Sequence, residues 1–152
     1  MLNFLSTLTQ DLHPLVVHFP IALLPLSFLF ALLARFWPKL CETEWLLLVI
    51  GTLAAPVAVI TGLIAHLPYE GTLLAAVIEP HQFSALIGTI VMIAITVWRA
   101  VNRRKGKDIG QSPVYLVFAL LGLAWIVFVG GTGGQLVYHD AINVRGVKPL
   151  LP

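Results

Sequence analysis

Charged residues and cysteines are scarce in this chain of 152 residues. Lysine, arginine, aspartate and glutamate make up 11% of it, whereas a soluble domain has about 25%. This composition excludes a disordered chain, which is rich in charge and poor in apolar side chains. A disulfide scaffold is excluded because Cys41 has no partner cysteine, and we assign Cys41 no role. A nucleic-acid partner is disfavoured because the net charge is only +2.

Apolar residues make up 59% of the chain and are concentrated in four long uncharged segments. A spanning helix takes about 20 mostly apolar residues. Helices are favoured because they satisfy their own backbone hydrogen bonds in lipid. Pro14 suits the first turn of the first helix, where its missing N–H costs nothing. We predict an all-α integral membrane four-helix bundle in a single domain over residues 1–152. Its helices are predicted near 14–36, 45–67, 81–101 and 113–136.

The basic residues are unevenly distributed among the loops. The first and third loops carry lysines and arginines, including Arg99 and the cluster from Arg103 to Lys107, whereas the second loop carries only Glu70 and Glu79. The positive-inside rule puts basic loops in the cytoplasm. Both termini and the second loop are therefore predicted on the outer side, which is periplasmic in a bacterium.

All five histidines fall at the predicted outer end of the bundle. They are His13 and His18 at the start of the first span, His66 at the end of the second, His81 at the start of the third and His139 after the fourth. Ionisable residues in spans are expensive and tend to mark function. One interfacial histidine is ordinary, but five at one end favour a shared site.

Small residues lie at helical spacing from three of these histidines. They are Ala22 after His18, Gly62 before His66 and Gly88 after His81. Imidazole binds haem iron, and small neighbours leave room for the porphyrin plane. Close helix packing explains the same small residues without a cofactor, so spacing alone leaves both interpretations open. The best predicted ligand pair is His18 with His81. His66 and His13 come next, and His139 last.

The segment from His13 to Leu23, HPLVVHFPIAL, resembles the opening motif HPxxVHFPIAL of the DUF2231 family of predicted bacterial membrane proteins. Further along, Thr61-Gly62-Leu63 is similar to the family's TGL, and His81 is similar to the histidine that starts its third span. GGQLVY, from Gly133 to Tyr138, resembles GGxLVY at the end of the fourth span. The resemblance implies four helices with histidines at one face of a bacterial inner membrane. Some members are joined to cytochrome c-like domains, which implies electron transfer.

The chain departs from the family pattern after Tyr138. The family tends to show a histidine two places past this tyrosine, followed by glycine. Here those places hold Asp140 and Ala141, and His139 comes one place early. The resemblance therefore does not carry a ligand role to His139.

Three functions remain open from the sequence. The leading hypothesis is a b-type cytochrome-like subunit with one haem b, at most two, that exchanges electrons with a periplasmic cytochrome c or a quinol. The second is a copper or zinc site built from His18, His81, His66 and His13 with nearby carboxylates such as Asp11, Glu70, Glu79 or Asp140. The third is a cofactor-free scaffold subunit of a larger membrane complex. A stand-alone enzyme is less favoured, because no nucleophile and base stand together in the sequence.

Overall fold

The chain forms four long helices. The structure is a computed structural model that describes residues 2–144 and 146–149, with side chains from Leu12 onward. The helices are α1 (Leu2–Leu33), α2 (Leu40–His66), α3 (Ala75–Arg104) and α4 (Pro113–Tyr138), and a short 3₁₀ helix (Leu67–Tyr69) follows α2. All four long helices are long and apolar enough to cross a membrane, so this is a multi-pass membrane protein. The side chain of Asp11, a predicted metal ligand, lies outside the described part.

Three helices begin earlier than the sequence predicted, and α2 begins at Leu40 rather than near residue 45. The first helix begins at Leu2 rather than near residue 14, and Pro14 lies inside it. Proline is tolerated within membrane helices because neighbouring groups satisfy the carbonyl that it frees. The third begins at Ala75 rather than near residue 81 and continues through Glu79 and Pro80. The prediction began this helix after the charge of Glu79, but an exposed carboxylate near a helix end is solvated and does not stop the helix.

Each helix packs antiparallel to its neighbours, in the order α1, α2, α3, α4, with α4 back against α1. Thr52 of α2 shares a hydrogen bond of 2.9 Å with Thr96 of α3. Gln111, just before α4, donates to the carbonyl of Ala31 near the end of α1 at 3.1 Å. This up-down arrangement brings the starts of α1 and α3 to one end of the bundle together with the ends of α2 and α4. We call it the histidine end, because His13, His18, His66, His81 and His139 lie there.

A buried ion pair holds the opposite end together. Arg99 and Glu44 are 1% and 0% exposed, and Nη1 of Arg99 lies 2.5 Å from the Glu44 carboxylate. The same nitrogen donates to the Tyr115 hydroxyl at 3.0 Å, and that hydroxyl donates to Glu44 at 3.2 Å. Arg99 was predicted as a basic residue of the third loop, but it lies buried inside the bundle. Removal of these charges from water is costly unless they are paired in this way.

A second layer of charge surrounds this pair. Asp108 accepts from Arg99 Nε at 2.9 Å and from Arg103 at 2.6 Å. Partial burial raises the pKa of Asp108, but hydrogen bonds from Arg99, from the backbone of Gly110 and from Arg103 outweigh it and hold that pKa below its usual value. Arg103 also pairs with Glu42 at 2.9 Å. We call Glu44, Arg99, Tyr115 and Asp108 the ion-pair cluster. It closes this end of the bundle.

Candidate functional site

The histidine end opens into a large cavity between the four helices. Its volume is about 1090 Å³, at the upper limit of the range of about 300–1,000 Å³ that is typical of small-molecule sites. Four of the five histidines line it: His13, His18, His66 and His81. The rest of the described lining consists mostly of aliphatic side chains and of glycines. The cavity therefore combines an apolar wall with several imidazoles.

His13 is held by α2 through its Nδ1 atom. This atom lies 3.0 Å from the carbonyl oxygen of Ala58 and 3.3 Å from the hydroxyl oxygen of Thr61. The Thr61 hydroxyl itself donates to the carbonyls of Val57 and Ala58, so its oxygen is an acceptor toward His13. Since both partners accept, Nδ1 carries the proton and Nε2 keeps its lone pair. The neutral ring is therefore ready to bind a metal through Nε2.

His81 is held by α4 in the same way. Its Nδ1 lies 3.0 Å from the hydroxyl oxygen of Thr132. That hydroxyl donates to the carbonyl of Val129 at 3.0 Å, which leaves its oxygen free to accept from Nδ1. Nε2 of His81 therefore also keeps its lone pair. The contact of His81 with α4 thus repeats the contact of His13 with α2.

A glycine lies under each of the two rings. A Cβ atom on Gly62 would lie 2.9 Å from Cε1 of His13, and a Cβ atom on Gly133 would lie 2.9 Å from Cε1 of His81. Both distances are shorter than real carbon contacts, so only glycine lets the rings approach this closely. Each glycine directly follows the threonine that binds the same ring. We call Thr61-Gly62 and Thr132-Gly133 the Thr-Gly seats.

Two further polar groups of the cavity have no hydrogen-bond partner among the described residues. They are Nε2 of His66 and Nε2 of Gln82, both buried and both on residues that line the cavity. His66 is 9% exposed. A buried polar group left without a partner costs about 1–3 kcal/mol. A bound polar molecule would recover that cost.

The other two histidines are placed differently. His18 lies exposed at the edge of the cavity, with Nδ1 2.5 Å from the carbonyl of Pro14 in its own helix. His139 is 77% exposed, pairs with Asp140 at 2.7 Å and is not among the residues that line the cavity. The Thr-Gly seats thus favour His13, rather than the predicted His18, as the partner of His81.

The segment after α4 folds over the cavity. Ile142 is 6% exposed and lines it, and the N–H of Asn143 donates to the hydroxyl of Tyr69 at 3.0 Å. Ala141 has φ 53°, in the left-handed region that favours glycine. The family pattern that the sequence resembles has a glycine where this chain has Ala141, and glycine adopts this backbone conformation without strain. The segment ties the end of α4 to the end of α2.

Neither of the two threonines was predicted as a site residue, although Thr61 lies in the TGL motif, and Gln82 was not predicted either. A signal for the threonines was present, since α2 and α4 both carry a Thr-Gly pair near their ends, at Thr61 and Thr132. No comparable signal marks Gln82, because its importance comes from burial alone. Among the side chains that the structure describes, no three histidines, cysteines or carboxylates are grouped so that they could hold a metal ion.

One family model, described as "Predicted membrane protein (DUF2231)", matches residues 9–146. The matched region contains all five histidines and both Thr-Gly seats. No curated protein and no solved structure matches the chain.

Proposed function

The chain belongs to the DUF2231 family of predicted membrane proteins, and from its cavity we propose that it is a b-type cytochrome-like subunit for electron transfer. The observation that carries the proposal is the pair of Thr-Gly seats, which present His13 and His81 to one cavity with Nε2 free. Both rings line the same cavity. Two such imidazoles from different helices would hold a haem, whose iron histidine side chains bind.

The residues around the two rings fit this role. Haem, when bound, supplies a centre that takes up and releases one electron. His13 and His81 would hold it, and Thr61 and Thr132 would fix the tautomer and direction of each ring. Metal-binding histidines commonly donate their second ring N–H to such an acceptor. The glycines of the seats keep space beside the rings, and the apolar wall excludes water.

The described side chains favour haem over the alternative of zinc. Structural zinc takes four protein ligands and catalytic zinc takes three. No group of three suitable side chains is found in the described part of the chain. Haem needs only two from the protein, because the porphyrin supplies the other four.

An optical spectrum tests the proposal. The protein, purified from membranes of a host that makes haem, is expected to show the reduced-minus-oxidised bands of a b-type haem, with about one iron per chain. A protein without these bands would refute the proposal. Stoichiometric copper or zinc in that preparation would point to the metal-binding alternative, and no cofactor at all to a scaffold subunit.

The glycine under His81 gives a sharper variant. Gly133→Ala is expected to lower the haem content of the purified protein several-fold, because the new Cβ atom would push the His81 ring out of its seat. Gly131→Ala is the matched control, since a Cβ atom there meets nothing within 4 Å. Haem content is measured per chain from the pyridine haemochrome spectrum. Equal haem in the two variants would argue against His81 as a ligand.

We also propose that the histidine end faces the periplasm of a bacterial inner membrane, where a soluble cytochrome c or a quinol would exchange electrons with the haem. Most of the exposed basic residues in the described part of the chain, such as Arg104 and Lys105, lie at the opposite end, and only Lys148 lies in the segment after α4; this distribution favours the proposed orientation. Cys41, half-buried at that opposite end, is a natural reporter. A membrane-impermeant maleimide is expected to label it in inverted vesicles and not in intact cells. Labelling in intact cells would reverse the orientation.

A further inference from the structure

The Thr-Gly seats do not use every polar group of the cavity. His66 ends α2, and Gln82 directly follows His81 on α3. Both Nε2 atoms are buried without a hydrogen-bond partner among the described residues, and neither side chain takes part in a Thr-Gly seat. Burial of polar groups without partners is unfavourable. Two such groups in one cavity indicate a polar ligand beyond the haem iron.

The surroundings restrict the class of this ligand. The cavity lies between four helices that span the membrane, so a molecule dissolved in the lipid can reach it. Aliphatic side chains such as Leu63, Leu86 and Ile78 make up much of its wall. A suitable ligand is therefore mostly apolar and carries a small number of hydrogen-bonding atoms.

We propose that His66 and Gln82 bind the headgroup of a lipophilic quinone or its quinol. The amide nitrogen of Gln82 only donates, and a quinone carbonyl oxygen is a matching acceptor. His66 Nε2 donates or accepts according to its tautomer, so it binds either the carbonyl of a quinone or the O–H of a quinol. Both redox forms are therefore accommodated, and the isoprenoid tail extends among the apolar side chains.

The binding of this ligand does not depend on haem, whereas its role as an electron donor rests on the proposed function. Oxidation of one quinol to the quinone would release two electrons and two protons. The electrons would pass one at a time to the haem and from it to the cytochrome c, and the protons would leave to the aqueous side of the histidine end. This assigns the quinol, rather than the cytochrome c, to the cavity itself.

Calorimetric titration of the purified full-length protein with decylubiquinone in detergent tests the inference. We expect saturable binding to one site. His66→Phe and Gln82→Leu keep the side-chain volume and remove the nitrogen, and each is expected to weaken binding about two- to tenfold, as for the loss of one hydrogen bond. His139→Phe is the matched control, because His139 lies at the same end but does not line the cavity, and its affinity is expected to stay unchanged.

Three results would overturn the inference: no saturable binding by the wild-type protein, equal affinity of both variants and the wild type, or equally tight binding of palmitate with the same dependence on His66. A haem spectrum and a thermal unfolding curve are recorded on each sample. Quinone binding by a protein without haem would refute the proposed function and leave this inference standing. Haem without quinone binding would refute this inference and leave the proposed function standing. Loss of haem in His66→Phe would then indicate that His66 contacts the haem instead of a quinone.

Discussion

His81→Ala is expected to yield a protein that folds and inserts but is purified without haem. Nδ1 of His81 is anchored to a neighbouring helix, and among the described side chains His13 shares this arrangement. Loss of an outer hydrogen-bond partner of a ligand commonly costs about 10–100-fold in metal affinity, and loss of the ligand itself is expected to cost at least as much. The measurement is the reduced-minus-oxidised spectrum per mole of chain.

A set of histidine variants separates the two candidate pairs. His13→Ala is expected to lose haem as His81→Ala does, whereas His139→Ala is expected to keep it, because His139 does not line the cavity. His18→Ala is expected to keep haem as well, since its ring is exposed and bonded to its own helix. Haem loss in His18→Ala together with haem retention in His13→Ala would restore the pair that the sequence predicted.

Arg99→Met is expected to cause a large loss of stability. It leaves the carboxylate of Glu44, which is 0% exposed, without its cation. Removal of one partner from a buried ion pair costs about 3–5 kcal/mol. We expect a strongly lowered unfolding temperature in detergent and a reduced yield from the membrane.

Two further variants test this reason. Arg104→Met, in the same helix end but exposed, is expected to unfold at the wild-type temperature. The double variant Glu44→Met with Arg99→Met is expected to recover much of the lost stability, since apolar residues of similar volume often replace a buried pair at little cost. A double variant no more stable than Arg99→Met alone would contradict this reason, because removal of the unpaired carboxylate would then have recovered nothing.

The four helices were predictable because a segment that spans lipid must be apolar and must satisfy its own backbone hydrogen bonds. Charges are expensive in the hydrocarbon layer, so the uncharged segments mark the helices directly. The early start of α1 was not predictable, because Pro14 suits a first turn as well as a membrane helix interior. Arg99 was misassigned for a different reason. Its partner Glu44 is 55 residues away, and the positive-inside rule counts basic residues without regard to such pairs.

The sequence predicted the end of the bundle at which the candidate site lies, but not which side chains face the cavity. The positions of the histidines along their helices indicate that end. Which ring faces the cavity depends on the rotation of each helix, and this is set by packing against its neighbours. His13 and His18 illustrate the point, since five residues place them about 140° apart around a helix. Only the contact of His13 with Thr61 and Gly62 shows which of the two is anchored.

The pairing of Glu44 with Arg99 also bears on how the chain is made. Glu44 belongs to α2, and Arg99 lies near the end of α3, so the carboxylate reaches the membrane before its cation has been synthesised. A chain that stops after the second helix therefore carries an unneutralised acid at the edge of the lipid. The third helix therefore supplies the cation that allows this carboxylate to be buried inside the bundle.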